Sequence, residues 1–435
     1  MGTAMAAPLR IALAGLGTVG AGLVRLIESN GALIASRAGR PVEIVAVSAR
    51  DRSKNRGVDI SGYAWEDDMT ALAARSDVDV VVELVGGSDG PALATARHAL
   101  KGGKALVTAN KAMIAHHGLE LAELAEANGV ALRFEAAVAG GIPVIKGLRE
   151  GAAANRIERI YGILNGTCNY ILSTMEQTGR DFGEVLKEAQ ELGYAEADPT
   201  FDVEGVDAAH KLAILAALAF GAKIDFAAVD VGGIGRVRAA DIAQAEALGY
   251  RIRLIGMADV DDQGNLFQRV QPCLVPHNNP LAAVDGPTNA VVAEGNFSGR
   301  LLFQGAGAGD GPTASAVAAD LVDIARGDTG APFSVPAAEL AAFAPADAGH
   351  RTGRTYLRFV VADRPGVLAE IAAAMRDGGV SIESLIQQGR PEEGGEVLVA
   401  MVTHEGPEAN VAKALALLEG SASLAEAPLV MRLLG

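Results

Sequence analysis

The stretch LGYAEADPTFDVEGVDAAHK, residues 192–211, carries the carboxylates Glu196, Asp198, Asp202, Glu204 and Asp207 before Lys211 supplies its only lysine or arginine. Acids at that density either solvate a loop or gather a cation. Asp207 and Lys211 stand four residues apart, the spacing of a pair on one helix face. An EF-hand loop does not fit, because Asp202-x-Glu204-Gly205 lacks the ligand spacing around its glycine. A second chemistry lies near the N-terminus. LRIALAGLGTVGAGLVRLI sets a β-type run, Leu9 to Ala14, before Gly15-x-Gly17-x-x-Gly20 and a helical pattern. Gly15 permits the tight turn, Gly17 lets backbone approach a pyrophosphate, and Gly20 lets the helix pack against the strand, with Thr18 and Val19 at the helix start facing the same ligand. Together these point to a dinucleotide.

The elements around these residues position them. An apolar strand, Val42 to Val47, runs out into Ser48, Ala49 and Arg50, with Arg52 and Lys54 close by. An NAD site usually ends this strand in Asp or Glu, so the basic end matches a 2′-phosphate and favours NADP, although Asp51 could serve the ribose of NAD. Strands at VDVVVELVGG, KALVTANK and VALRFEAAVAGG alternate with helices near 91–100 and 118–127. That alternation predicts a doubly wound parallel sheet. Ligands in such sheets bind beyond the carboxyl ends of the strands, where Ser88, Asn110 and Lys111 fall. Lys111 could hold a ribose, a carboxylate or a carbonyl oxygen. After Gly140-Gly141-Ile142-Pro143 comes a strand, a turn at Asn165-Gly166-Thr167, a helix, the acidic stretch and a long apolar helix. Short apolar runs from 251 to 304 read as antiparallel sheet, and the helix in PTASAVAADLVDIARG returns to the nucleotide domain. A Pro/Ala/Gly-rich connector from about 327 to 353 leads to the last eighty-odd residues.

Composition excludes several classes of partner. Two cysteines far apart make neither a disulfide framework nor a cysteine-ligated metal site. A net charge of −16 repels nucleic acid and anionic lipid. No apolar run is long enough to span a membrane, and MGTAMAAPLR is too short and too polar for a signal peptide, so the chain is expected in the cytoplasm.

GLGTVG, TANK, FEAAVAGGIPV, LNGTCNYIL, LGYAEADPTFDVEGVDAAHK and GAGAGDGPTASAV, in that order, resemble homoserine dehydrogenase over residues 9–330. The remainder, from TYLRFVVADRPGVLAEIAAAMRDGGVSIESLI onward, resembles a C-terminal ACT domain of βαββαβ pattern, as in the monofunctional enzymes. The resemblance implies a Rossmann-type nucleotide domain (1–140 plus about 305–340), a second α+β catalytic and dimerisation domain (141–304), a linker (341–353) and a ferredoxin-like ACT domain (354–435). It implies NAD(P)-dependent interconversion of L-homoserine and L-aspartate 4-semialdehyde in a homodimer or homotetramer. Gly193, Glu196, Asp202 and Asp207 would then bind substrate or orient its neighbours. Lys211 would be the acid/base, with Lys111 as rival proton donor. Gly307 would join the cofactor residues, and a monovalent cation, Na+, would sit at Glu135, Val138, Gly140 and Ile142.

Other chemistries are compatible with parts of the chain. Gly140-Gly141 also reads as a hinge between domains. Aspartate-semialdehyde dehydrogenase would need Cys168 as nucleophile, and a purely sensing ACT protein would need no cofactor. The ACT resemblance implies feedback by an amino acid, L-threonine, at Asp363-Arg364-Pro365-Gly366, where a turn opening a helix offers N–H groups to a carboxylate. Ser381 stands where many ligand-binding ACT domains carry Asn.

Overall fold

The computed structural model describes residues 6–388 and 396–435. Its first unit is built from β1 (Leu9–Ala14), α1 (Thr18–Ala38), β2 (Val42–Ser48), β3 (Ala64–Trp65), α2 (Ala71–Ala74), β4 (Val80–Glu83), α3 (Pro91–Lys101), β5 (Ala105–Thr108), α4 (Lys111–Ala127) and β6 (Leu132–Arg133). The six strands lie in the order β3-β2-β1-β4-β5-β6, all parallel. Runs such as Val80–Glu83 are buried on both faces, as a sheet covered by helices requires. The order reverses between β1 and β4, so a crevice opens at their carboxyl ends, where Gly15 and Leu84 follow the strands.

The chain continues through α5 (Val144–Lys146), β7 (Ile157–Ile163), α6 (Gly166–Thr178), α7 (Phe182–Glu191), α8 (Thr200–Val203), α9 (Val206–Phe220), β8 (Asp230–Val231), α10 (Ala239–Ala247), β9 (Tyr250–Val260), β10 (Leu266–Pro276), β11 (Thr288–Gly295), β12 (Gly299–Ala306) and α11 (Asp310–Ala325). Every α9 residue from Asp207 to Leu218 is buried. A helix apolar on all sides belongs in the interior, and this one carries Asp207, His210 and Lys211 there with it. Helix α11 packs on α1, returning the chain to the nucleotide unit.

Strands β13 (Thr352–Gly353), β14 (Thr355–Ala362), β15 (Ile382–Gln388), β16 (Glu396–Thr403), β17 (Gly406–Pro407) and β18 (Leu429–Leu433), with α12 (Val367–Gly378) and α13 (Glu408–Ala416), complete the fold. Within them β14-α12-β15-β16-α13-β18 is the βαββαβ pattern, with strand order β18-β14-β16-β15. β18 also pairs in parallel with β10, Cys273 opposite Arg432 and Leu274 opposite Leu433. The C-terminal unit therefore continues the central sheet.

Two local expectations differ from the structure. Helix α4 starts at Lys111 rather than near Gly118, because the Asn110 side chain caps it by accepting from Met113 N at 3.0 Å. The strand expected across VALRFEAAVAGG stops at Arg133, and a 3₁₀ turn over Glu135–Ala137 follows. The connector is packed against the rest of the fold: Phe333 and Leu340 are buried, Ala341 N donates to Gly221 O at 2.8 Å, and Ala346 N donates to Leu266 O at 3.0 Å. Among the described residues no helix is long and apolar enough to cross a membrane.

Candidate active site

A cavity of about 770 Å³ opens between the two units. Its nucleotide side is made by Val19 at the start of α1, by Leu84 to Gly86 after β4, and by Ala109, Asn110 and Lys111 after β5. Its other side is made by Asn165 to Thr167, Gly193, Tyr194, Asp202, Asp207 and Lys211, and it is closed by Pro287 to Asn289 and Ala306 to Gly309.

The nucleotide side is a backbone cradle. Gly15 has φ +107°, and a Cβ there would stand 2.8 Å from Leu84 O. A Cβ on Gly20 would stand 2.3 Å from Gly15 O, so the helix can lie this close only without one. On Gly17 a Cβ would meet nothing within 4 Å, which leaves open space at the helix start. No side chain caps α1, so the N–H groups around Thr18 and Val19 are free for an anion. A dinucleotide pyrophosphate fits this cradle. The turn after β4 is held by buried Glu83, which accepts from Val85 N at 2.7 Å, Gly86 N at 3.1 Å and Thr108 Oγ1 at 2.6 Å. Ser88 lies beyond this turn, donating to Asp89 at 2.6 Å, and does not line the cavity. At the end of β2, Arg50 is exposed, while the Asp51 carboxylate is engaged by Ser53 N and Oγ. Arg56, which sequence reading passed over, donates to Leu16 O at 3.0 Å.

The substrate side is built from charged side chains. Lys211 Nζ donates to Asp207 Oδ2 at 2.8 Å and to Leu164 O at 2.7 Å. Lys111 Nζ reaches the other oxygen, Asp207 Oδ1, at 3.0 Å from the opposite unit. Burial opposes ionisation of Asp207, but the charges of Lys211 and Lys111 outweigh it and hold the carboxyl well below its usual range. Burial likewise pulls Lys111 down, and the charges of Asp207, Asp202 and Glu196 more than offset it, so its ammonium is strengthened. Asp202 shifts the other way, raised by burial and by Asp207. Asn165 donates to both acids, to Asp202 Oδ1 at 2.8 Å and Asp207 Oδ2 at 2.9 Å, while its own oxygen caps α6 by accepting from Cys168 N.

The question raised by five carboxylates thus has a geometric answer. Asp202 and Asp207 face the cavity. Asp198 engages Thr200 N, and Glu196 is exposed, close enough for its charge to act on Lys111. Sequence reading missed Asn165 as a bridge, seeing only a turn, although an Asn at a helix N-cap was the signal. It also missed the aromatic packing behind the lysines: His210 stacks on Phe226 with centroids 4.2 Å apart, and its Nε2 lies 3.3 Å from that of His116 on α4. Cys168 is buried and its thiol is pushed up by burial and by Asp202, which suits packing and not a nucleophile.

Glu135 is buried, with its carboxylate accepting from Ile145 N and Lys146 N at 3.0 and 2.8 Å. Burial and nearby Asp320 push it up to about 7. Ala139 adopts φ +50°, Ile142 O accepts from Val144 N at 2.7 Å, and the carbonyls of Val138 and Gly140 meet no donor among the described residues. In the C-terminal unit, Asp363 to Leu368 and Gln387 line a cavity of about 340 Å³.

A parallel doubly wound sheet with a glycine-rich first turn, facing a second unit across a cavity where Lys111 of the first unit and Lys211 of the second share the Asp207 carboxylate, defines an NAD(P)-dependent oxidoreductase. Residues 15–135 match the family model for the homoserine dehydrogenase NAD binding domain, 143–322 that for homoserine dehydrogenase, and 355–419 that for the ACT domain. The chain is 46% identical over 435 residues to homoserine dehydrogenase of Neisseria gonorrhoeae, covering 98% of each, and 45% identical over 426 residues to that of Pseudomonas aeruginosa, covering 95% of each. A homoserine dehydrogenase structure from Thiobacillus denitrificans superposes with a TM-score of 0.91 at 42% identity, covering 98% of each chain. A hyperthermophilic archaeal homoserine dehydrogenase solved in complex with NADPH superposes with a TM-score of 0.62 at 26% identity, covering 73% of this chain and 97% of that one. The chain belongs to the homoserine dehydrogenase family, and it interconverts L-aspartate 4-semialdehyde and L-homoserine with a nicotinamide cofactor.

Proposed function

We propose that the reaction runs with NADPH, with Lys211 as general acid/base and Lys111 and Asp207 as its electrostatic partners. The observation that carries this reading is the sharing of one buried carboxylate by two lysines from opposite walls of the cavity. Bound NADPH supplies the hydride. Lys211 gives its proton to the aldehyde oxygen as the alcohol forms and recovers it in the oxidative direction, and Asp207 keeps the ammonium oriented through the bond at 2.8 Å. Lys111 is the rival donor. Its strengthened ammonium fits it better to hold a developing oxyanion than to release a proton. Asp202 and Glu196 hold the substrate α-ammonium, and Gly193 lets backbone approach it.

On the cofactor, Gly15, Gly17, Thr18, Val19 and Gly20 hold the pyrophosphate, Arg50 the 2′-phosphate, and Gly307 and Lys111 the nicotinamide end, with Ser88 at the rim. Asp51 is already engaged by Ser53, which supports NADP over NAD. Residues 1–140 and about 305–340 then serve the cofactor, 141–304 the substrate and 354–435 regulation. A monovalent cation held by the carbonyls of Val138 and Gly140, with Glu135 and Ile142 beside it, would fix the turn between the units. The exposed edge strand β12, with Phe297 89% exposed beside it, supports a homo-oligomer. L-Threonine at the Asp363–Gly366 turn is supported by the cavity there. The reaction draws on the cytoplasmic pool of reduced cofactor.

The test is kcat/KM for aspartate semialdehyde reduction with NADPH and NADH, in wild type and Arg50→Ala. We expect NADPH to be preferred and the preference to fall about tenfold in the variant, the loss of one charge-assisted contact. An unchanged ratio would remove Arg50 from the assignment.

A further inference from the structure

Asn289, in β11, is 1% exposed, yet neither its side-chain oxygen nor its nitrogen has a hydrogen-bond partner among the described residues. Buried amides are normally satisfied, because an unpaired one forfeits its hydration without compensation. The other unpartnered groups, such as Asn169 Oδ1 and Gln268 Oε1, do not line the active-site cavity; Asn289 does.

The surroundings of Asn289 are shaped to keep its amide there. A Cβ at Gly307 would stand 2.1 Å from Asn289 Cγ, and a Cβ at Gly166 would stand 3.3 Å from its Oδ1 and 2.7 Å from Pro287 O. Glycine on both sides admits the side chain and leaves no other polar group to satisfy it. An amide in this position is matched by a ligand group that donates and accepts side by side, as another primary amide does. An ionised carboxylate, which only accepts, satisfies Nδ2 alone.

We propose that Asn289 is a cofactor-positioning residue that pairs with the primary carboxamide of the nicotinamide ring, its Oδ1 accepting from the amide NH₂ and its Nδ2 donating to the amide oxygen. The pairing fixes the rotation of the ring and so decides which face delivers hydride. This rests on the reading of the cavity as the place where nicotinamide meets substrate, since Asn289 lies in the wall that joins the Gly305–Gly309 segment to the start of α6 beside Asn165.

The test uses the full-length enzyme and two cofactors, NADP and its 3-acetylpyridine analogue, in which a methyl replaces the amide nitrogen. Dissociation constants are measured by calorimetry for wild type and Asn289→Ala. Wild type should bind NADP about tenfold more tightly than the analogue, since the analogue leaves Oδ1 unpaired. Asn289→Ala should bind both within about twofold of each other, with KM for homoserine nearly unchanged. Asn289→Ser gives the same comparison if the alanine variant does not fold. A variant that weakens both cofactors equally and keeps the tenfold discrimination would overturn the proposal, as would a rise in homoserine KM at unchanged cofactor affinity. If wild type bound neither cofactor, the dinucleotide reading itself would fall and this proposal with it. Loss of the NADP-over-NAD preference alone would revise the Arg50 assignment and leave this ratio intact.

Discussion

The two walls of the active-site cavity offer different chemistry. On the nucleotide wall the contacts are backbone groups, uncapped N–H groups at the start of α1 and glycines whose missing Cβ atoms make room. On the substrate wall they are ionised side chains on an interior helix, Asp207 and Lys211, with Lys111 reaching across from the nucleotide wall to the same carboxylate. Backbone contacts are set by where a chain can pass and tolerate almost any surrounding charge. Side-chain contacts hold only while the charges balance, because Asp207 and Lys211 are largely cut off from water. Substitution should therefore act through shape on one wall and through charge on the other.

The largest effect is expected on the charged wall. In Asp207→Asn the ammoniums of Lys111 and Lys211 keep their positions without the carboxylate between them. Removing one partner of a buried pair costs about 3–5 kcal/mol, equivalent to roughly two to four orders of magnitude. Steady-state assay should show kcat/KM reduced by at least about a hundredfold, and thermal melting a lower midpoint. A nearly unchanged kcat/KM would mean that the two lysines do not depend on this acid.

The backbone wall should respond to shape. Gly17→Ala places its methyl where no protein atom lies within 4 Å, so the melting temperature should hold while NADPH binds on the order of tenfold more weakly. Gly20→Ala pushes into Gly15 O and should lower stability by about 1–3 kcal/mol, an overpacking cost. Equal effects on stability in the two variants would erase the distinction.

A smaller effect is expected where the walls meet. His210 is buried on α9 between Phe201 and Phe226, with His116 of α4 against its edge; burial lowers its pKa to about 4, His116 adds to this and Asp207 opposes it. The unfolded chain, with an ordinary value near 6.5, takes up a proton first as pH falls. His210 therefore favours the folded state above about pH 6.5, and that contribution is lost as pH drops toward 4. Melting curves from pH 7 to 4 should be flatter for His210→Phe than for wild type by a few degrees. Parallel curves would show that the imidazole does not titrate across this window.

The same contrast explains what could be read in the sequence. Gly15, Gly17 and Gly20 follow a strand at fixed spacing, and local spacing is visible in a chain, so the nucleotide wall was legible. The acidic stretch gave the right residue types, and spacing paired Asp207 with Lys211. Nothing local showed that Lys111, nearly a hundred residues earlier, would reach the other oxygen of the same carboxylate, or that Asn165 would bridge two acids. Those contacts come from packing one unit against the other. The packed connector was hidden for a similar reason: Phe333, Val335, Leu340 and Phe343 anchor it, but they follow neither a helical nor a strand period among many alanine, proline and glycine residues. Parallel pairing of β18 with β10 depends on a register between segments far apart in the chain.

The most direct measurement of the account is single-turnover reduction of aspartate semialdehyde by Lys211→Met beside Lys111→Met, with NADPH affinity determined on the same preparations. The account predicts a loss of about 10²- to 10⁴-fold in turnover for Lys211→Met at nearly unchanged NADPH affinity, and a smaller loss for Lys111→Met. Near-wild-type turnover in Lys211→Met, with the larger loss in Lys111→Met, would contradict it and assign the proton to the nucleotide wall.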